Sequence, residues 1–234
     1  LFEIASAKSE IIDNIANDGT IVLNKDDYFY DFFKKKALKK KLKIVSFSMK
    51  KKANIYLIKI KKQKNSFSLI LNINKNVKSF KIKKNLISYI PNILASLAVI
   101  SSYFKIDYIN KNIFYNFKLP EGRGNLIKIK IKNKIINIIN ESYNSNPLSL
   151  KSAILNYDKI KSIKSNKYLL IGDMLELGIH SKKLHESIAP IINKSKIDKV
   201  FVKGNKVPFI FNNLSKLKRG RIFTNNSQIL KFVK

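Results

Sequence analysis

A polar loop near the middle of the chain carries the side chains best suited to chemistry. Its seven residues, ESYNSNP at 141–147, supply a carboxylate, a phenol, hydroxyls and two amides shortly after an isoleucine-rich run that ends at Ile139. The Asn and Pro residues predict a turn followed by a helix. Polar side chains between a strand and the next helix lie where open α/β sheets bind their ligands. We therefore expect a ligand site at this loop.

The first half of the chain must supply a second set of elements. Apolar spacing predicts an amphipathic helix at 4–15, with Lys8 away from its isoleucine stripe, and a helix with a solvated lysine face at 33–44. The order of elements predicts a sheet covered by helices, with a β-rich elaboration. The further elements are a strand at 20–23, four short strands within 43–83 spaced for antiparallel pairing, a buried helix at 87–104 and a short helix at 108–116.

The pattern changes after KLPEGRGN, residues 118–125, where Pro and two Gly make the best candidate for a domain boundary. Beyond it, strand patterns alternate with helical patterns, which is typical of βαβ units and a mostly parallel sheet. The predicted strands are 126–131, 134–139, 167–171, 199–202 and 221–223, and the predicted helices are 147–160, 181–193 and 227 onward. The predicted fold class is α/β, with domains at 1–121 and 122–234.

Composition excludes several classes of protein. With 45% apolar residues the 234-residue chain can bury a core, and no apolar run is long enough to cross a membrane. The absence of cysteine excludes disulfides, a thiol nucleophile and thiolate metal sites, and two histidines leave little scope for a histidine-built site. We expect a soluble cytoplasmic protein without membrane insertion.

The net charge of +32 raises the question of a nucleic-acid partner, because clustered Lys and Arg bind phosphates. Nearly all the basic residues are Lys, however, and they are spread along the whole chain among abundant Ile and Asn. Because these residue types share A/T-rich codons, a biased genome explains the charge. We therefore predict no nucleic-acid partner. The alternative, a basic nucleic-acid-binding protein, requires basic residues gathered on one face with aromatic side chains among them.

Six collinear segments resemble one enzyme family. The loop NESYNSNPLSL is similar to the Asp-Asp/Glu-Ser-Tyr-Asn-Ala-Asn-Pro stretch of the Mur ligases that add D-alanyl-D-alanine to a peptidoglycan precursor. SYNSNP together with GDMLELG favours these ligases over another amide ligase of the superfamily, such as a folylpolyglutamate synthase, which would share the fold. The other segments, in matching order and spacing, are IASAKSEI, VLNKDD, PNILASLAV, EGRG, and IGDMLELG with LHESIA.

The resemblance implies an architecture and a reaction. The architecture is the second half of a central ATPase domain, followed by a Rossmann-like C-terminal domain. The reaction joins D-alanyl-D-alanine to UDP-N-acetylmuramoyl-tripeptide through an acyl phosphate, with ATP and Mg²⁺, in a monomer. Because the seven glycines form no G-x-x-x-x-G-K-[ST] loop, we expect a phosphate loop, a catalytic Glu and a metal-binding His in a preceding segment, and a Lys-Gly-Ser segment downstream.

The resemblance also implies roles for individual residues. Lys8, in the frame Ala-x-Ala-Lys-x-Glu-Ile, is expected to be carbamoylated by carbon dioxide and so to become an anionic oxygen ligand of Mg²⁺. Asn92 is expected to contact adenine, and Glu141 the ATP ribose. Arg123 is expected to bind the γ-phosphate, because its fixed donors suit phosphate oxygens. The alternative for Lys8 is an exposed helix lysine, and for Asn92 a core amide. For Glu141 the alternative is a helix-capping carboxylate, and for Arg123 a surface arginine.

Further polar residues belong to the same implied site. Asp173 and Glu176 follow a predicted strand, a usual place for active-site acids, but the sequence assigns them no role. His185 is predicted to be a surface residue of a helix. Three loop residues are implied to line the junction where ATP and the peptide substrates meet, although Asn also forms turns unaided: Tyr143, Asn144 and Asn146.

The chain departs from the family pattern at four positions. Asn140 stands where the family has the first acid of the loop, and Ser145 stands where it has Ala. Leu86 and Ser88 occupy the positions of a Gly and a His that precede the adenine-contacting residue. Adenine stacking by that His therefore does not carry over to this chain.

Overall fold

The chain divides into an N-terminal unit, residues 1–118, and a C-terminal unit, residues 119–234. The computed structural model describes residues 2–131, 134–160 and 165–233. The division falls at the beginning of the Pro- and Gly-containing segment 118–125. Within the described residues, no helix has the length and apolar character needed to cross a membrane.

The N-terminal unit is a mixed five-stranded sheet with the strand order β1-β2-β3-β4-β5. Strands β1 and β2 are parallel, and β3, β4 and β5 form an antiparallel meander. Helix α3 contacts β1, β2 and β3 and buries most of its apolar side chains. The elements are α1 (Phe2–Asp13), β1 (Thr20–Asn24), α2 (Tyr30–Lys39), β2 (Lys43–Ser48), β3 (Ile55–Lys62), β4 (Phe67–Ile73), β5 (Asn76–Ile82) and α3 (Ile90–Ser101).

The predicted antiparallel pairing is confirmed for β3 to β5 and is wrong for β2. Strand β2 pairs with β3 in parallel over two residue pairs, Phe47 with Ile55 and Ser48 with Tyr56. The Asn54 side chain accepts hydrogen bonds from the Ser46 N–H at 2.9 Å and the Ser46 hydroxyl at 2.8 Å. These bonds hold the beginning of β3 beside the end of β2.

The predicted isoleucine stripe of α1 is only partly buried. Ile12 is fully buried, but Ile4 and Ile11 are exposed. The buried face instead consists of Ala5, Ser9 and Ile12, which lie on one side of the helix. Small residues at two of these positions let α1 approach its neighbour α2 closely.

The lysine-rich helix α2 ends earlier than predicted. Lys41 has φ +58°, the Leu42 N–H donates to Ala37 O at 3.0 Å, and the Lys41 N–H donates to Leu38 O at 3.0 Å. This is a Schellman motif, with the accompanying apolar contact between Leu42 and Ala37. The burial of Leu42 therefore ends the helix and starts β2 at Lys43.

The short helix predicted at 108–116 is not formed. A 3₁₀ turn covers Ile106–Tyr108, and single turns follow it. The Asn110 side chain accepts from the Asn112 N–H at 2.8 Å, which shows how asparagine competes with helical hydrogen bonding. The segment is held to the sheet by Phe114, whose ring lies 5.6 Å from that of Phe80.

The C-terminal unit contains a parallel three-stranded sheet, order β10-β9-β8, and a separate antiparallel pair, β6 and β7. Its core joins helix and strand residues, including Ile154, Ile171 and Val202. The elements are β6 (Asn125–Ile131), β7 (Lys134–Asn140), α4 (Pro147–Asp158), β8 (Tyr168–Gly172), α5 (Ser181–Glu186), α6 (Ala189–Asn193), β9 (Lys199–Lys203), α7 (Pro208–Phe211), β10 (Arg219–Phe223) and α8 (Asn226–Val233).

Two predictions for this unit need correction. The strands predicted at 126–131 and 134–139 do not join the parallel sheet, because a two-residue connection permits only antiparallel pairing. The helix predicted at 181–193 is two helices, α5 and α6. Pro190 has no N–H to donate to a preceding turn, so the first helix ends before it.

Candidate functional site

The β6–β7 hairpin brings together two polar segments that are separated in sequence. Asn125, the first residue of β6, pairs with Asn140, the last residue of β7. The Gly124 N–H donates to Asn140 O at 2.7 Å, and the Tyr143 N–H donates to Gly122 O at 3.1 Å. The EGRG segment before β6 and the ESYN segment after β7 therefore lie at the same end of the hairpin. We call residues 121–125 and 140–144 the hairpin end.

Glycine is required where these two segments touch. Gly122 has φ +74°, and a Cβ atom built on it would lie 2.8 Å from the Tyr143 backbone nitrogen. The Gly122 N–H also donates to the Asn125 side-chain oxygen at 2.8 Å. A side chain at position 122 would therefore separate the segments, and the glycine keeps Arg123 next to the ESYN loop.

Arg123 lies over the ring of Tyr143. The guanidinium carbon is 4.3 Å from the ring centroid, and both residues remain exposed. A cation–π contact at an exposed site contributes about 0.5–1 kcal/mol. The ring thus supports a guanidinium whose planar donors are suited to phosphate oxygens.

Glu141 occupies the turn between β7 and Tyr143. The Asn140 side-chain oxygen accepts from the Ser142 N–H at 3.1 Å and the Ser142 hydroxyl at 2.7 Å, so the residue that replaces the acid of the family stretch shapes this turn. The Glu141 residue is exposed overall, but partial burial of its carboxyl raises the pKa of that group. The Glu141 backbone thus belongs to the hairpin end, together with Arg123 and Tyr143.

The two asparagines of the loop have different surroundings. Asn144 is exposed. Asn146 caps α4: its side-chain oxygen accepts from the Leu148 N–H at 3.0 Å and the Ser149 N–H at 2.9 Å, and the Ser149 hydroxyl accepts from the Asn146 N–H at 3.0 Å. This capping box fixes where the helix begins.

Lys8 lies in the N-terminal unit, on the exposed side of α1. It lines a cleft of about 320 Å³ together with Asn24, Asp27 and Tyr30. The Asp27 carboxylate accepts from the Phe29 N–H at 2.8 Å, which fixes its position at the end of β1. The cleft therefore combines an amine with a carboxylate, an amide and a phenol.

Asn92 lies in the first turn of α3 and is exposed. The alternative that it is a core amide is therefore wrong. Its backbone oxygen accepts from the Ser96 hydroxyl at 2.9 Å. Of the two departures that precede it, Leu86 is buried in the core and Ser88 is exposed.

Asp173 has a structural partner that the sequence did not reveal. Its carboxylate accepts from three consecutive backbone N–H groups, those of Asn205, Lys206 and Val207, at 2.7–2.8 Å. These bonds tie the end of β8 to the loop after β9. The strands β8 and β9 are neighbours, so a parallel-sheet alignment would have suggested this contact.

Replacing Asp173 with Ala is expected to lower the free energy of unfolding of the C-terminal unit by about 2–3 kcal/mol, because three backbone N–H groups, one of them on the buried Val207, lose a charged acceptor. Asp173→Asn should recover part of the loss. Urea unfolding followed by circular dichroism measures the difference. Glu186→Ala, on α5 of the same unit, is the control and should change stability little. Equal stability of Asp173→Ala and the wild type would contradict this account.

His185 is not a surface residue, and the sequence prediction is wrong on this point. Its side chain is fully buried. The Met174 N–H donates to His185 Nε2 at 3.1 Å, so Nδ1 carries the proton and donates to Ser181 O at 2.8 Å. The imidazole thereby joins the GDMLELG segment to α5. The collinear segments GDMLELG and LHESIA are thus in contact in the fold.

The chain is similar in sequence to known proteins of one family. Residues 1–100 match the Mur ligase middle domain. The UDP-N-acetylmuramoyl-tripeptide--D-alanyl-D-alanine ligase of Buchnera aphidicola subsp. Baizongia pistaciae is 31% identical over 251 residues, which cover 100% of this chain and 48% of that protein. The chain therefore spans about half the length of the curated relatives it matches.

Solved structures show the same fold. A crystal structure of MurF from Acinetobacter baumannii has a TM-score of 0.78 at 21% identity and covers 98% of this chain and 48% of its own. MurF ligase from Thermotoga maritima, crystallised with ADP, has a TM-score of 0.75 at 21% identity. The match covers 98% of this chain and 50% of the Thermotoga chain. The chain is therefore similar to Mur ligases over its whole length: residues 1–100 match the middle domain of the family, and the α/β architecture of both units is that of these solved structures.

Proposed function

We propose that the chain works in an ATP-dependent ligase that joins D-alanyl-D-alanine to UDP-N-acetylmuramoyl-tripeptide during the synthesis of peptidoglycan precursors. The observation that carries the proposal is the hairpin end, where Arg123, Tyr143 and Glu141 come together from two segments that match the family. The name of the Buchnera relative, a UDP-N-acetylmuramoyl-tripeptide--D-alanyl-D-alanine ligase, supports the same substrates. A cytoplasmic monomer without a nucleic-acid partner belongs to the same proposal.

The reaction assigns a task to each residue of the hairpin end. The tripeptide carboxylate attacks the γ-phosphorus of ATP, which forms an acyl phosphate and releases ADP. The dipeptide amine then attacks the acyl carbon, loses a proton, and phosphate leaves as the amide forms. Arg123 neutralises charge on the transferred phosphoryl group, and Glu141 accepts from the ribose hydroxyls. Tyr143, Asn144 and Asn146 line the meeting point of ATP and the peptides.

The N-terminal unit supplies the remaining contacts of the proposal. Asn92 contacts adenine in this proposal, and its exposure in the first turn of α3 supports that role. Lys8 reacts through its neutral amine with carbon dioxide and releases a proton, which gives a carbamate in the cleft that Asp27 also lines. Two anionic oxygen donors suit Mg²⁺, which is commonly held by one or two carboxylates plus phosphates and water. When bound, Mg²⁺ neutralises phosphate charge.

The test of the function compares the 234-residue chain with the protein encoded by the whole reading frame that contains it. The whole protein should release phosphate and form amide only when ATP, UDP-N-acetylmuramoyl-tripeptide and D-alanyl-D-alanine are all present. The chain alone should release none, because its glycines form no phosphate loop. A colorimetric assay measures the phosphate that each protein releases, and mass spectrometry detects the amide product. A whole protein that forms no amide would overturn the proposed function.

A further inference from the structure

The loop after β8 is fixed at its beginning by two long-range contacts. Asp173 accepts three backbone N–H bonds from residues 205–207, and the Met174 N–H donates to the buried ring of His185. The Met174 side chain is itself buried. The backbone that leads into Glu176 is therefore held from both sides. Ligands of α/β proteins bind outside the carboxyl ends of parallel strands, which is where this loop lies.

Glu176 has a backbone conformation that is unfavourable for its residue type. Its φ is +58°, in the left-handed region that glycine and asparagine tolerate better. Among the described residues, the other non-glycine positive φ values have local explanations. Asp18 lies in the turn before β1, Lys41 ends α2, and Asn74 and Lys75 form the two-residue turn between β4 and β5. Glu176 ends no helix and closes no hairpin.

The Glu176 side chain is free to bind a ligand. It is exposed, and its carboxylate makes no hydrogen bond or ion pair with any residue that the structure describes. Two apolar neighbours in the loop are also strongly exposed, Leu175 at 73% and Ile179 at 94%. The loop thus presents one negative charge between apolar side chains. Strained backbone at a rigid, exposed position is common where proteins bind ligands.

We propose that residues 173–179 bind the primary ammonium group of D-alanyl-D-alanine, with Glu176 as its counter-charge and with Leu175 and Ile179 against the dipeptide methyl groups. This assignment rests on the proposed function, which requires a site for the amine substrate. The dipeptide carries an ammonium group next to a methyl group, and the loop carries a carboxylate next to apolar side chains. The two are therefore complementary in charge and in apolar surface. Charge-assisted hydrogen bonds of this kind are the stronger ones in proteins.

A divalent cation fits the loop less well than an ammonium. Mg²⁺ needs several oxygen donors, and the described residues contain no group of three His, Asp or Glu side chains arranged to hold a metal ion. A lone carboxylate balances the single charge of one ammonium and accepts one or two of its three N–H donors. The apolar neighbours would also be poor surroundings for a hydrated metal ion.

The strained backbone makes a sharp test possible. Glycine at position 176 removes both the carboxylate and the strain, so Glu176→Gly should raise Tm by about 2–4 °C while it abolishes the ammonium contact. Glu176→Gln keeps the size of the side chain and removes only the charge. Glu186→Gln, a carboxylate change on α5 of the same unit, is the matched control. A residue that serves only stability would not combine a higher Tm with lost binding.

The binding experiment uses the 234-residue chain and amide NMR shifts. D-alanyl-D-alanine should shift the amides of residues 173–179, and N-acetyl-D-alanyl-D-alanine, which has no ammonium, should not. Both Glu176 variants should bind the dipeptide about 10- to 100-fold more weakly than the wild type, the loss expected for one charge-assisted hydrogen bond. The Glu186→Gln control should bind as the wild type does.

Three results would overturn the ammonium site. They are unchanged binding by Glu176→Gln, equal binding of the acetylated dipeptide, and Mg²⁺ shifting the loop amides when the dipeptide does not. These results leave the proposed ligase function standing if the whole reading frame still forms amide. Conversely, dipeptide binding at the loop without amide formation by the whole protein would support the site and count against the ligase function.

Discussion

Replacing Lys8 with alanine is expected to lower the rate of ATP-dependent amide formation by the whole reading frame at least about 1,000-fold, or about 4 kcal/mol in barrier. The carbamate would no longer supply an anionic oxygen to Mg²⁺, and water in the cleft does not replace its charge. The fold should survive, because Lys8 is exposed on α1 and alanine is the best helix former. Phosphate release at saturating substrates measures the loss.

Chemical rescue distinguishes a carbamate from an ordinary lysine. A carbamate resembles a small carboxylate, so acetate or formate should partly restore activity to Lys8→Ala in a concentration-dependent way. Lys8→Arg should show no rescue, because the guanidinium fills the space and forms no carbamate. Lys35→Ala, an exposed lysine on α2, is the control and should keep normal activity. Ordinary turnover by Lys8→Ala without additives would show that Lys8 is one more surface lysine.

Replacing Arg123 with alanine is expected to raise the barrier by about 3–4 kcal/mol, roughly 100- to 1,000-fold in kcat, the loss typical when one preorganised charge-stabilising donor is removed. The effect should persist at saturating ATP, because the role proposed for the guanidinium is to stabilise charge that develops during phosphoryl transfer. Steady-state kinetics of the whole protein give the value. An unchanged kcat would mean that Arg123 is only a residue of the glycine-rich segment.

Two variants of Tyr143 test how much the ring beneath the Arg123 guanidinium contributes to activity. Tyr143→Phe keeps the ring and should retain most of the activity, whereas Tyr143→Leu should lose about two- to fivefold because the guanidinium no longer has the ring contact. Arg221 is the matched control, since it is also exposed and lies 5.9 Å from an aromatic ring, that of Phe223. Arg221→Ala should leave kcat unchanged. A similar loss for both arginines would point to a general effect of charge.

The sequence predicted those elements whose signals are local. The alternation of strand and helix patterns after residue 125 and the meander at β3 to β5 follow from spacing within a few residues. The errors arise where a contact outside the local pattern determines whether an element forms or where it ends. The Asn110 turn replaced a helix, and the burial of Leu42 ended α2 before its lysine pattern did. Pro190 marks the break between α5 and α6 in the sequence, but the prediction of one helix gave more weight to the helical spacing of the apolar residues than to this proline.

The candidate site shows the same division. The motif segments were recognisable in sequence, and hairpin closure between residues 125 and 140 would have predicted the contact of Arg123 with Tyr143. The partners of Asp173 lie more than thirty residues downstream, and no local pattern marks them. The left-handed backbone of Glu176 was likewise hidden, because glutamate carries no sequence signal for positive φ.

The hairpin end also has a consequence for the order of folding. Asn125 and Asn140 are close along the chain, whereas the pairing of Tyr168 with Lys199 in the parallel sheet must close a much longer loop. Hairpins form in about 1–10 μs, and parallel pairing is slower because more chain entropy is lost first. The segments that carry Arg123 and Tyr143 can therefore meet early. The contact of Arg123 with Tyr143 is therefore expected to be in place before the parallel sheet is complete.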